Sequence, residues 1–520
     1  MKRFSLALCP GRRALIACVS AVVFAGSARA QVGAAPGPPS QANPLPLSGR
    51  SAQAGGVAAT ESPVPGTTTS VNTVNPTVSV QGDYAGSTSS TSKLPFSGRL
   101  SLADAIQRGL HYNLGTVDVA NALAQARGQA RGARSALLPT FSADVADTEE
   151  TINLRTFGFS FSAPGFNVPA LVGPFNVLDI RARASQKIAD FTSINNYRAA
   201  RETAGAGQLS AQNAQDLVVL GVAGQYLQVI AAAARMQSAQ AQLDTSKALY
   251  DRTLKQQSFG TAAQLDVNRS HVEVLLDQQR LETLQNDFAK QKITLARMTG
   301  LPPNPDYTLS DDFPFAAAPV VSLDDAIREA FSRRADLKAA EAQVRAAESA
   351  LAAARAERFP SASANADYGE IGVPSGLRPT YTVSVTLSVP IWNGGHTGAD
   401  IRQAEAVLAE RRAELEDTRS QIEAEVRNAY LDLQSAANQV NVAKQNIDLM
   451  EETLHQTRQR FEAGVSENVE VVQSQESAAG AHLDYIDSIF AHNLAKVSLA
   501  RALGEAADKL DQFLSIRPSP

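Results

Sequence analysis

The residues that most often carry chemistry in proteins are few and widely separated in this chain. Both cysteines, Cys9 and Cys18, lie near the amino terminus, so a form cleaved after them has no disulfide, thiol nucleophile or thiolate ligand. His482 and His492 are ten positions apart on one predicted helix, too far apart to share a metal. Gly394-Gly395 is not followed by the Lys-Ser/Thr of a phosphate loop. With no catalytic triad, paired carboxylates or nucleotide fingerprint, we expect no enzyme, no cofactor and no metal site.

Residues 1–30 are typical of a secretory signal peptide. Four basic residues precede or flank the apolar run 14–26, and Ala28-Arg29-Ala30 is a small-x-small cleavage site. This run is shorter than the roughly 20 residues that a membrane-spanning helix needs. Residues 15–18 also resemble a lipoprotein box, so lipidation of Cys18 is an alternative to ordinary cleavage. Cleavage after Ala30 leaves 42 basic and 52 acidic residues, a net charge of −10, which argues against a nucleic-acid partner.

Residues 31–98 are rich in Pro, Gly, Ser and Thr and poor in charge and large apolar side chains. Such a composition buries too little surface to offset the entropy of ordering the chain. The segment is therefore predicted to be a disordered leader, with the fold beginning near Leu100.

The rest of the chain consists of two copies of one unit. The segment 102–106 returns 221 positions later as 323–327, and Arg134…Pro139 returns as Arg355…Pro360 at the same offset. Three later blocks return at an offset of 204: Tyr226-Leu227, Gly260 with Asp266, and the Leu-Ala-Arg-x-x-Gly segment 295–300. The first copy therefore carries seventeen extra residues between Pro139 and Tyr226, and its strands should be joined by the longer loop.

Each unit is predicted to contain two helices, two strands and a long helical hairpin. Ser101 with Asp104, and Ser322 with Asp325, are helix-capping pairs. The first unit spans 99–310, with strands at about 140–191 and the hairpin at about 195–300. The second spans 320–504, with strands at about 361–391 and the hairpin at about 397–503. Residues 505–520 form a carboxy-terminal tail.

The strand segments alternate apolar and polar residues. In 381–391 every second residue is Tyr, Val, Leu or Ile, and this run has the length of a tilted transmembrane β-strand, about 9–11 residues. A half-solvated soluble sheet shows the same alternation. Four strands per chain cannot close a filled barrel, which takes about eight, and lipid does not tolerate open edges. Strands in a membrane would therefore have to come from several copies of the chain.

Long helices follow the strands in both units. Residues 195–257 and 397–463 contain no proline, and apolar residues recur at heptad spacing from Val222 to Tyr250 and from Val426 to Leu454. At 1.5 Å per residue, sixty-odd residues form a helix about 95–100 Å long. The pattern predicts antiparallel coiled-coil hairpins that turn at Gly260 and Gly464.

In order and in duplicate, these features resemble the TolC-like outer membrane efflux protein family over about residues 100–504. The resemblance implies a mixed α/β membrane protein in which three chains share a twelve-stranded outer-membrane β-barrel, four strands from each. The barrel would continue into a long α-helical coiled-coil tunnel across the periplasm. The implied partners are two further copies of the chain, outer-membrane lipid, a periplasmic adaptor and an inner-membrane transporter of the RND or ABC type.

The resemblance also assigns roles to residues at the hairpin tips. Acidic residues six and nine positions after the second-hairpin glycine constrict the periplasmic entrance in the best-known members. Here these positions are Glu470, which matches in charge, and Gln473, which does not. The resemblance also places four residues at the hairpin tips, where a periplasmic adaptor would contact them: Gly260, Asp266, Gly464 and Ser466.

The family's latch between the hairpins is only half present. Asp266 matches its acidic side, whereas Ser466 replaces an arginine and Phe461 a tyrosine. In the strands, Arg181 and Arg183 either line the pore or lie among lipid headgroups, and the sequence leaves both open.

Two functions remain in view. The first is an outer-membrane channel subunit, a passive exit duct of a tripartite efflux pump or a type I secretion system. The alternative is a secreted or periplasmic coiled-coil structural protein whose strands form a soluble sheet. Dependence on detergent separates them.

Overall fold

The fold is known from a computed structural model. It describes residues 55–64, 73–88, 94, 96–157, 162–163, 166–167, 170–302, 306–312, 315–317, 322–463 and 465–514. The predicted signal segment 1–30 and Gly464 lie outside the described residues.

In each unit two helices precede the long strand pair and a helical hairpin follows it, as the duplication predicts. The strands are β1 (Val57–Val64), β2 (Thr73–Val80), β3 (Arg99–Leu100), β4 (Thr140–Asn153), β5 (Ser162–Ala163), β6 (Phe166–Asn167), β7 (Leu171–Ala189), β8 (Thr308–Leu309), β9 (Ser361–Gly372) and β10 (Arg378–Ser388). The helices are α1 (Leu102–Tyr112), α2 (Leu114–Ser135), α3 (Phe191–Ser258), α4 (Gln264–Thr299), α5 (Leu323–Arg333), α6 (Ala335–Ala356), α7 (His396–Glu462), α8 (Asn468–Leu503) and α9 (Ala506–Leu514).

The helix starts and ends follow local sequence signals. Ser101 accepts a hydrogen bond from the backbone N–H of Asp104 at 3.1 Å, and Ser322 accepts one from Asp325 at 3.2 Å. Both capping predictions are therefore confirmed. Helices α4 and α8 end at Gly300 and Gly504, whose φ angles of 71° and 74° lie in the left-handed region that favours glycine.

One antiparallel sheet carries the long strands of both units, in the order β10-β9-β7-β4. Its central pair, β7 and β9, joins the two units, with Ala182 opposite Tyr368. Within the described part of the chain, β4 and β10 each have a neighbour on one side only. The connection from β4 to β7 spans 154–170 and that from β9 to β10 spans 373–377, so the longer first loop is confirmed.

The two faces of this sheet differ in chemistry. The apolar face is highly exposed on the edge strands: Phe141 is 79% exposed, Tyr381 75% and Val383 73%. The opposite face carries Asp144, Arg183 and Asp367, which alternate with the apolar residues along their strands. The predicted alternation is therefore present in the structure.

The largest core lies along the helices, beyond the sheet. Residues on α3 and α8 form its centre, and Val222, Tyr226 and Ala491 are fully buried there. The heptad residues pack inward as predicted: Val426 is fully buried and Leu243 is 4% exposed. An 18-residue stretch of α3 is apolar enough to cross a membrane, but 72% of it is buried, as in a core helix.

The structure differs from the prediction that all of 31–98 is a disordered leader. Strands β1 and β2 form an antiparallel hairpin, with Val57 opposite Val80. Val57 and Val78 pack on α3 where the helix has glycines: an added Cβ at Gly224 would lie 2.6 Å from Val78. Tertiary contact with a notch in a distant helix thus orders a segment whose own composition predicts disorder.

Candidate functional site

The tips of the two helical hairpins lie side by side. The first hairpin turns at Gly260, whose φ of 73° explains the glycine, and α4 begins four residues later. In the second hairpin, α7 ends at Glu462 and α8 begins at Asn468, with Gly464 outside the described residues. The predicted turn at Gly260 is confirmed.

A buried asparagine connects the two tips. Asn468 is 2% exposed, and its side-chain amide donates to the backbone carbonyl of Asp266 at 3.2 Å and to Ser270 Oγ at 3.0 Å. Sequence reasoning missed Asn468, because its partners are about 200 residues away in the chain.

The predicted latch residues are not joined to each other by an ion pair. The Asp266 carboxylate lies 3.9 Å from Arg269 on its own helix, and Ser466 Oγ is buried without a hydrogen-bond partner among the described residues. Near the tips, an ion pair between the hairpins joins Arg252 on α3 to Glu462 on α7, with a distance of 2.6 Å. This pair was also missed, since neither residue belongs to a duplicated block.

Glu470 and Gln473 share one face of α8, being three positions apart. The Glu470 side chain is 49% exposed and its carboxylate lies 3.8 Å from the Arg460 guanidinium. Both residues border a surface cavity of about 340 Å³ together with Thr457 and Ser474. Glu470 is therefore accessible to solvent in the single chain.

A second groove, of about 540 Å³, lies between α4 and α8 near the tips. Its lining is apolar at Val272, Val469 and Val472 and acidic at Glu273 and Glu476. Glu273 is 6% exposed, and its carboxylate makes no hydrogen bond or ion pair with any residue that the structure describes. We name this the tip groove.

The pKa of Glu273 is raised to about 7, chiefly by burial and then by the negative charges of Asp277 and Glu476, while Arg280 lowers it. Asp277 is itself 2% exposed and accepts a hydrogen bond from Ser246. The tip groove is therefore acidic and poorly solvated. The sequence did not predict it, because its acidic residues come from two different helices.

The strand arginines lie on the polar face of the sheet and are paired. Arg181 contacts Asp179 at 2.7 Å and Asp367 at 3.3 Å, so it connects the strands of the two units. Arg183 lies 3.2 Å from Asp144 on the neighbouring strand. Carboxylates therefore balance both cations.

Comparison with known proteins agrees with this architecture. A family profile described as "Outer membrane efflux protein" matches residues 326–505. The chain is 26% identical over 418 residues to "Pyoverdine export outer membrane protein OpmQ" of Pseudomonas aeruginosa, covering 78% of this chain and 85% of that protein. It is 24% identical over 389 residues to "Probable efflux pump outer membrane protein TtgC" of Pseudomonas putida, covering 73% and 77%.

Solved structures share the fold. The outer membrane protein VceC of Vibrio cholerae superposes with a TM-score of 0.67 at 19% identity, covering 78% of this chain and 96% of that one. A membrane protein from Pseudomonas aeruginosa gives a TM-score of 0.70 at 20% identity, with coverages of 81% and 98%.

The duplicated sheet-and-hairpin fold is therefore shared with solved outer-membrane channels, and the sequence is similar to that of outer membrane efflux proteins. Residues 326–505 thus match the outer membrane efflux protein profile, and the chain is similar to outer membrane efflux proteins over most of its length.

Proposed function

We propose that three copies of this chain form one outer-membrane exit duct that works without catalysis. The observation that carries the trimer is the four-stranded sheet, whose outer strands β4 and β10 are open edges in the described part of one chain. Lipid leaves no water to satisfy such an edge, so the edges must pair with those of other copies. Three copies would supply twelve strands, which exceeds the roughly eight needed for a barrel with a filled interior.

The chemistry of the sheet supports the orientation of its two faces. The exposed apolar face, with Phe141, Val145 and Val385, suits contact with lipid tails. The opposite face, with Arg181 and Arg183 paired to carboxylates, suits a water-filled lumen. We therefore favour the pore-lining position of these arginines over the headgroup position.

The helical hairpins would continue the duct across the periplasm. In a trimer, Glu470 would occur three times around the entrance and favour cations there, while Gln473 would add no charge. Asp266 and Ser466 lie beside the tips, where a periplasmic adaptor would dock. An inner-membrane transporter of the RND or ABC type would supply the cargo, and cargo selectivity would reside in that transporter. The efflux names of the relatives favour a drug or metabolite pump over type I protein secretion.

Cysteine cross-linking tests the trimer directly. Once residues 1–30 are removed the chain has no cysteine. Cysteines engineered at Ala143 in β4 and at Val385 in β10 are then the only thiols available for cross-linking. Oxidation should link neighbouring copies into trimers, with shifts of the β10 position by two residues used to find the register. A mature chain that is monomeric and soluble without detergent would refute the proposal. That result would favour the alternative function, a coiled-coil structural protein.

Conductance in planar bilayers tests the entrance. E470Q should reduce the cation preference of the pore, whereas E467Q, which changes an exposed neighbour outside the predicted constriction, should not. Equal effects of both variants would show that Glu470 does not lie at the constriction. The proposal of a trimer would be unaffected.

A further inference from the structure

Three potential metal ligands meet where the second strand pair joins its helices. One ligand atom from each of Glu357, His396 and Asp400 lies within 4.8 Å of the others. His396 Nδ1 and Asp400 Oδ2 are already 2.6 Å apart. We name these three residues the strand-base cluster.

The local fold brings the cluster together from both ends of the β9–β10 hairpin. Gly395, with a φ of 90°, turns the chain into α7, so that His396 is the first residue of that helix. Asp400 follows four residues later on the same helix face. Glu357 is the carboxy-terminal cap of α6, four residues before β9 begins. One of the three ligands therefore precedes the β9–β10 hairpin in the chain, and the other two follow it.

Glu357 occupies an electrostatically poor position. The carboxy-terminal end of a helix carries partial negative charge, which disfavours a carboxylate there. No hydrogen bond or ion pair of this carboxylate with a described residue offsets that cost. A bound cation between Glu357 and Asp400 would neutralise both the carboxylates and the helix end.

The first unit shows that the scaffold does not need these side chains. Ala136 is the carboxy-terminal cap of α2, the counterpart of α6. At the offset of 204, Thr192 replaces His396 and Asn196 replaces Asp400. The equivalent junction therefore forms with none of the three ligands, and the strand-base cluster is an addition specific to the second unit.

The donor set suits a transition metal of the zinc type. One imidazole and two carboxylates can provide three of the four ligands of Zn²⁺, with water as the fourth, at about 2.0–2.2 Å. Ca²⁺ is disfavoured, because it takes six to eight oxygen ligands. The His396 side chain is 74% exposed, so it is free to adjust from hydrogen bonding to coordination.

We propose that the strand-base cluster binds one Zn²⁺-type divalent cation per chain and thereby clamps the end of α6 to the start of α7. The clamp fixes the two feet of the β9–β10 hairpin relative to each other. This inference is independent of the trimer and of the cargo, because all three ligands belong to one chain.

Calorimetric titration of the mature protein with ZnCl₂ tests the proposal, after removal of any histidine tag and treatment with a chelator. We expect saturable binding of one zinc per chain, and a weakening of about tenfold or more in H396A, D400N and E357Q. H482A is the matched control. His482 is also exposed and lies 3.0 Å from Glu451, but no third potential ligand among the described residues lies beside that pair. It should bind zinc as the parent protein does.

Cobalt provides a second readout. The visible absorption of bound Co²⁺ distinguishes a tetrahedral site from loose surface binding, and it should be lost in H396A and retained in H482A. The triple variant A136E/T192H/N196D should gain a second zinc site in the first unit. The proposal is overturned if the parent protein takes up no zinc, or if H396A and H482A reduce binding equally. Because the replaced side chains are at the surface, unchanged circular dichroism will verify that each variant is folded.

Discussion

Glu273 in the tip groove predicts an unusual pH dependence of stability, because it is buried and makes no hydrogen bond or ion pair with a described residue. Its pKa is raised to about 7 in the folded chain, whereas an unfolded glutamate titrates near 4.5. As the pH rises from 4.5 to 7, the unfolded chain loses this proton and the folded chain retains it. Folding therefore becomes less favourable over this interval, and above pH 7 the penalty is constant.

The size of the penalty follows from the shift. Each unit of pKa difference corresponds to about 1.4 kcal/mol, and allowing for partial solvation of the groove we expect about 2 kcal/mol per chain at pH 8. E273Q removes the ionisation while keeping nearly the same shape. It should raise the free energy of unfolding by about that amount at pH 8 and change it little at pH 4.5.

The assay is guanidinium or thermal unfolding of the helices, followed by circular dichroism in detergent at several pH values between 4.5 and 8. E282Q serves as the control, since Glu282 lies on the same helix but is exposed. E476Q should produce part of the gain, because it removes one of the negative charges that raise the Glu273 pKa. A difference between E273Q and the parent protein that does not vary with pH would refute the reasoning, as would an equal effect of E282Q.

Two further predictions concern the core around α3. G224A should loosen the β1–β2 hairpin and increase its cleavage by protease, because the new methyl would meet Val78 at 2.6 Å, whereas G205A, with nothing within 4 Å, should leave cleavage unchanged and raise helix stability slightly. Y226F should lower the free energy of unfolding by about 1–2 kcal/mol, since the Tyr226 hydroxyl donates to Leu100 O at 2.9 Å and also contacts an aspartate. Y430F, at the duplicated position, should have little effect in the same denaturation experiment.

Features encoded over short stretches of sequence could be predicted. The caps at Ser101 and Ser322 depend on residues three positions apart, and the long helices depend on heptads and on the absence of proline. The change in offset between the repeated blocks predicted that the first strand pair has the longer loop. Because each unit repeats the same local signals, an ambiguous signal in one copy could be interpreted from the other.

Features that depend on distant residues could not be predicted. The β1–β2 hairpin is ordered by the notch at Gly221 and Gly224, about 150 residues further along the chain. The contacts of Asn468 and the burial of Glu273 arise only when two hairpins pack together. The strand-base cluster likewise joins residues separated by the whole β9–β10 hairpin. A single sequence gives the elements but not the pairs of surfaces that meet.

In the proposed trimer, the unequal lengths of the strand pairs would give the outer rim of the barrel an uneven height. Strand β7 has 19 residues, but its pairing with β9 stops at Leu178 opposite Gly372, so that residues 171–177 continue with β4 alone. Seven residues at about 3.4 Å each correspond to roughly 24 Å of extra ribbon. In the proposed trimer, three tall fingers would alternate with three low notches at the cell surface. Antibodies, phage and proteases approaching from outside would meet the fingers of the first unit before any other part of the protein.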